Sequence, residues 1–94
     1  MTLARVVSFN GVNAERMAAL KNRIETDGQP EGLNSPELLL LHDPDSEQAL
    51  AVLFFDNEDD YAAGDAILNA MPSDETPGQR AAVTKYHVAA RMLT

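Results

Sequence analysis

Two unbroken apolar runs constrain this chain most, Leu38-Leu39-Leu40-Leu41 and Ala49-Leu50-Ala51-Val52-Leu53-Phe54-Phe55, joined by His42-Asp43-Pro44-Asp45-Ser46-Glu47. A strand with one wet face alternates apolar and polar residues. An unbroken run of this length, bounded by turn formers, marks a strand covered above and below. The pair therefore reads as a β-hairpin buried on both faces. Two amphipathic helices elsewhere in the chain suffice for one face, and 94 residues leave nothing for the other. A second copy is the simplest cover, so a homodimer is expected.

Leu3 to Gly11 reads as a first strand, with Val6, Val7 and Phe9 ahead of the strand-stopping Asn10-Gly11. Asn13 is positioned to cap a helix over residues 13–26, in which Ala14, Met17, Leu20 and Ile24 form the apolar stripe. Residues 27–36 hold two glycines and two prolines, too many breakers for a regular element. So long a loop in a small domain is either mobile or functional.

After the hairpin, Asp56 or Asn57 caps a second helix whose first turn carries Glu58, Asp59 and Asp60, acids that favour the positive end of the helix dipole. Its buried stripe is Tyr61, Gly64, Ile67 or Leu68, and Met71. Glycine inside a helix costs about 1 kcal/mol relative to alanine, so Gly64 on the apolar side predicts a helix backbone lying close on the sheet. Pro72 is expected to end the helix, and residues 73–78 to form a second, acidic loop. Arg80 to Met92 reads as a long last strand with Tyr86, Val88, Ala90 and Met92 on one side, and Val83, Lys85, His87, Ala89 and Arg91 on the other. The order is βαββαβ. With right-handed crossovers, both helices lie on one face of a four-stranded antiparallel sheet, a single α+β domain of ferredoxin-like arrangement.

Charge narrows the partners. Fifteen acidic residues against seven basic give a formal net charge of −8, which repels phosphate backbones and anionic bilayers. Neither nucleic acid nor membrane is an expected partner. The chain has no cysteine, hence no disulfide framework or thiolate metal site. The first residues lack the pattern of a secretory signal, and no apolar run approaches the roughly 20 residues that span a bilayer. A cytoplasmic location is the expectation.

Leu38-Leu39-Leu40-Leu41-His42-Asp43-Pro44, Phe54-Phe55-Asp56, Gly64-Asp65, Leu68-Asn69-Ala70-Met71-Pro72, Thr76-Pro77-Gly78 and Lys85-Tyr86 together carry a resemblance. Over nearly its whole length the chain resembles the dimeric α+β barrel superfamily, which includes antibiotic-biosynthesis monooxygenases and haem-degrading enzymes, and within it short uncharacterised actinobacterial members. The resemblance implies a homodimer whose two sheets close into a barrel, with a pocket between each sheet and its own helices. It implies no reaction, because one fold hosts many functions. Asn10 matches an asparagine near the end of the first strand in the enzymatic members. Those monooxygenases and haem degraders also rely on a tryptophan, and the haem group on a histidine from the second helix. This chain has no tryptophan and no histidine between Asp56 and Pro72, which counts against both activities.

The candidate catalytic residues are Asp65, His87 and Asn10. Asp65 borders the second helix's apolar stripe, where burial would raise its pKa and fit it for acid or base work. His87 lies in mid-strand beside Lys85 and Arg91, where pointing into the barrel would suit proton transfer near neutrality. Candidate ligand-binding residues are Tyr61, Tyr86, His42 and Arg5. The two tyrosines are expected to aim hydroxyls between helices and sheet, His42 to cap the Asp43-Pro44 turn, and Arg5 to pair with an acidic residue at the interface between copies. Asp43, Asp45 and Glu47 imitate the spacing of a calcium loop without its glycine or remaining ligands, so no metal is expected. No cofactor is implied.

These readings lead to a small homodimeric α+β barrel protein that binds a small apolar molecule between sheet and helices. The enzymatic alternative is a cofactor-free monooxygenase or isomerase acting on an aromatic or polyketide-like substrate, with Asn10, Asp65, Tyr61 or His87 moving protons. A ligand-sensing module of the ACT type shares the element order and binds amino acids at a glycine-containing turn after strand one, which Asn10-Gly11 fits only loosely.

Overall fold

The computed structural model describes residues 2–71 and 78–92. Six elements follow in the order expected: β1 (Leu3–Asn10), α1 (Ala14–Asp27), β2 (Glu37–Asp43), β3 (Gln48–Phe55), α2 (Glu58–Asn69) and β4 (Gln79–His87). The four strands form one antiparallel sheet in the order β2-β3-β1-β4, the ferredoxin-like arrangement. Local chemistry sets the helix starts. Asn13 and Asn57 are the N-caps, each side chain accepting from the backbone N–H three residues on, at 2.8 Å.

The register sorts the side chains into two faces. Leu3, Arg5, Val7 and Phe9 of β1 stand opposite Phe55, Leu53, Ala51 and Ala49 of β3, and the helices cover this side. The core there has two parts. Leu3, Leu33, Leu53, Phe55 and Tyr61 pack together at one end of the sheet, and Val7, Phe9, Val12 and Ala49 at the other. Arg5 lies between them in sequence. Gly64 is buried against the first part, where a Cβ would stand 2.6 Å from the Phe55 ring, the close approach its position in α2 foretells.

The opposite face carries Leu39 and Leu41 of β2, Leu50 of β3 and Tyr86 of β4, between 37% and 54% exposed. The hairpin's other face, expected from sequence to be covered, is thus open. At its edge the Arg91 guanidinium stacks 4.5 Å over the Phe54 ring and pairs with Glu37.

Three expectations are corrected. The last strand ends at His87 and not at Met92, because Leu3 opposite His87 is the first residue of β1. One further bond, Val88 N–H to Thr2 O at 3.0 Å, closes the ladder, and the chain leaves the sheet. Helix α1 runs along the sheet but buries no residue fully; Met17, Leu20 and Ile24 are only half-covered. Helix α2 ends at Asn69, ahead of Pro72. Pro72 itself and the acidic loop through Pro77 lie outside the described residues.

Candidate functional site

Helix α1 stands off the sheet over a cavity of about 560 Å³. Leu20 and Ile24 of α1, Leu38 and Leu40 of β2, Ala51 and Leu53 of β3, Leu68 and Met71 at the end of α2, and Pro30 and Leu33 of the 28–36 loop line it. Small-molecule sites typically enclose roughly 300–1,000 Å³ behind largely apolar walls with a few fixed polar groups. Of the stripe that sequence assigns to helix packing, Met17 packs against the cluster of Val7 and Phe9 while Leu20 and Ile24 are cavity wall, and α1 has no buried side chain.

The loop with too many breakers forms one end of the cavity, and it is tied down. Gln29 Nε2 donates to Ser35 O at 2.7 Å, and its Oε1 accepts from Ser35 N–H at 3.2 Å. The Ser35 hydroxyl is buried 2.7 Å from Phe54 O and 3.0 Å from Glu37 O. Leu33 is drawn into the core. These bonds hold the backbone where hydrophobic packing alone would leave it loose.

The other end is electrostatic. Arg5 and Lys85 are directly opposite across β1 and β4, a like-charge pair that would repel if left alone. Helix α2 lays a complementary ridge over them, since positions 58, 65 and 69 share one face. Lys85 Nζ donates to Glu58 at 2.5 Å and lies 4.9 Å from the Tyr61 ring centroid. Arg5 Nε donates to Asp65 Oδ1 at 2.8 Å and Nη2 to Asn69 Oδ1 at 2.9 Å. Arg80 donates to the same Asn69 oxygen at 3.0 Å, and to Leu68 O at 3.3 Å. The Lys85 hydrogen bond holds the Glu58 carboxyl below its usual range. Burial, reinforced by the nearby Asp65 charge, pushes the Tyr61 phenol up.

Arg80 reaches this side through an irregularity. Ser8 pairs with Ala82 but Phe9 pairs with Arg80, so β4 spends one extra residue at Ala81. Without that bulge, strict alternation would turn Arg80 to the open face.

The candidates from sequence separate accordingly. Arg5 pairs with an acid as expected, but under α2 and not on the open face: it lines the cavity with its side chain only 2% exposed, and its partner Asp65 has a side chain 36% exposed. Asp65 is thus held as the counter-ion of a buried cation rather than as a carboxyl buried against apolar groups. Tyr61 is buried in the core, its ring edge-on to Phe55 at 5.4 Å, and does not line the cavity. Tyr86 stands on the open face, so its hydroxyl does not point between helices and sheet. His87 pairs with Leu3 and belongs to the helix-covered side, not to the side where two sheets would meet. Arg91 leaves the strand and so does not stand beside it. His42 does not cap the hairpin turn: its Nε2 donates to Val12 O at 2.8 Å, while Asp43 Oδ1 accepts from Asp45 N–H at 3.2 Å and Ser46 N–H at 3.5 Å. Asn10 is exposed and lines a second concavity, of about 570 Å³, with Leu41, Asp43 and Leu50 at the hairpin end of the sheet.

Sequence reading missed Arg80 and Asn69. The signal for Asn69 was its spacing of four from Asp65 on α2; for Arg80 there was none, since a bulge leaves no residue signature here. Among the described residues, no three His, Asp or Glu side chains converge as a metal site requires, and no helix is long and apolar enough to cross a membrane. Compared with known proteins, the chain matches no family model, no curated protein and no solved structure.

Proposed function

We propose that the protein is a homodimeric carrier or sensor of a small apolar molecule, held between the sheet and its own helices. The observation that carries this reading is the cavity of about 560 Å³ under α1, walled by aliphatic side chains that would otherwise form a closed core. A chain of this size gains stability by burying such groups, so leaving them apart is explained by an occupant. The dimer part rests on the open face, where Leu39, Leu41 and Leu50 stand exposed beside Tyr86. Four strands about 4.8 Å apart and about 26 Å long present a face of roughly 500 Å² in projection. Side-chain relief raises its accessible area toward the ~800 Å² per partner of a standard interface.

A cofactor-free oxygenase or isomerase would need a proton-transferring group facing the bound molecule. Asn10, Tyr61 and His87 do not line the cavity, and Asp65 is engaged by Arg5. Binding is therefore favoured over turnover.

Calorimetric titration with decan-1-ol tests the binding. One alcohol per chain is expected, and Ala51→Leu, which fills the cavity from β3, should weaken it about tenfold. An absence of heat, or binding indifferent to Ala51→Leu, counts against this cavity. Native mass spectrometry of the same sample reads the assembly, where a bare monomer at micromolar protein would overturn the dimer.

A further inference from the structure

Resting on that reading, we infer that the occupant is an apolar molecule with an anionic end group, a carboxylate for example, which Arg80 and Arg5 receive at the α2 end of the cavity. Two guanidinium groups converge there on a single neutral acceptor, Asn69 Oδ1, at 2.9 and 3.0 Å. Asp65 balances one of them. Among the described residues, the cluster Arg5–Asp65–Asn69–Arg80 therefore carries one positive charge in excess, in a chain whose net charge is −8. Arg5 and Arg80 both line the cavity.

The remaining charged groups along the cavity do not cancel this end. Glu37 is engaged by Arg91, and Asp27 and Arg23 belong to α1, on the opposite wall. Arg5 is almost fully buried, and a buried cation is strongly unfavourable unless its bonds are met; Asp65 and Asn69 hold its orientation before any ligand arrives. Arg80 owes its place to the bulge at Ala81, an irregularity that turns a charged side chain onto the covered face. A planar guanidinium offers five N–H donors in a fork matched to carboxylate geometry, and a low-dielectric wall strengthens the contact. The aliphatic walls would take the apolar body.

Paired calorimetric titrations with decanoate and decan-1-ol, at pH 7.5 and constant ionic strength, test the inference. Decanoate is expected to bind at least about tenfold more tightly, the range of a hydrogen bond to a charged group. Arg80→Gln should lower decanoate affinity far more than decan-1-ol affinity and so bring the two together, and Arg80→Lys should restore part of the preference. Equal affinities in the unaltered protein, or a preference untouched by Arg80→Gln, would overturn the anionic end group and leave the apolar cavity standing. Failure of both probes to bind would overturn the two readings together.

Discussion

At position 64 a single methyl group decides how closely helix and sheet approach. A Cβ there would lie 2.6 Å from Cε1 and Cζ of Phe55 and 2.9 Å from Cδ1 of Leu33. Gly64→Ala gains about 1 kcal/mol of helix propensity and loses roughly 1–3 kcal/mol to overpacking. The net expectation is a loss of up to about 2 kcal/mol in urea unfolding, opposite in sign to the usual effect of this substitution. A second residue reports on charge. Glu58 is fully exposed, and its pKa lies below the ordinary 4.5 because Lys85 donates to it, with further help from the ammonium and His87 charges. The unfolded chain takes up this proton near 4.5 and the folded chain only at lower pH. The resulting stabilisation is present above 4.5 and lost as pH falls through the lowered value. Carbon-detected NMR should place the Glu58 midpoint below 4.5, and Lys85→Met should raise it.

At the scale of the elements, the order and type of all six were legible, because caps, breakers and apolar periods agree with one another. The asparagines before α1 and α2, the crowded breakers of the 28–36 loop and the glycine inside α2 all predicted what they do. What stayed hidden was which side of each strand meets the helices. Alternation divides β4 correctly into Tyr86 on one side and Lys85 with His87 on the other, but it carries no label saying which set is covered. Arg80 was further concealed by the bulge, which changes parity within the strand. The Leu20 and Ile24 end of the α1 stripe was legible as apolar and illegible as a cavity wall, since the same pattern serves a packed face and a lined void. That difference is measurable. With no fully buried residue, α1 should exchange its amide hydrogens faster than β1 or β3, and decanoate should slow exchange at residues 20–30 selectively. Equal protection of α1 and β1 in the ligand-free protein would count against a helix standing off the sheet.

For the whole molecule, the governing imbalance is a sheet with one finished face and one open. The hairpin's composition is that of a strand pair covered twice, and one chain covers it once. Leu39→Lys with Leu41→Lys places two charges on the open side, where the fold of the single chain does not use those side chains. Sedimentation velocity should show the altered protein as a monomer with an unchanged β-sheet circular dichroism signal. A dimer that persists with both lysines in place would mean that copies associate elsewhere.

The two ends of α1 are held very differently. At its start, Val12 N–H donates to Glu47 O at 2.7 Å and Val12 O accepts from His42, which clamps the helix to the hairpin. At its finish, Gly28 takes a positive φ of 69° and the chain passes straight into the rim of the cavity. There the hold is a side-chain clasp, the two hydrogen bonds between Gln29 and Ser35, rather than a backbone clamp. An outward swing at Ile24 and Gln29 has to break that clasp but no hydrogen bond of the sheet. The lifetime of a bound guest would then follow the Gln29–Ser35 clasp while its affinity follows the aliphatic walls, so residence and strength are set by separate contacts.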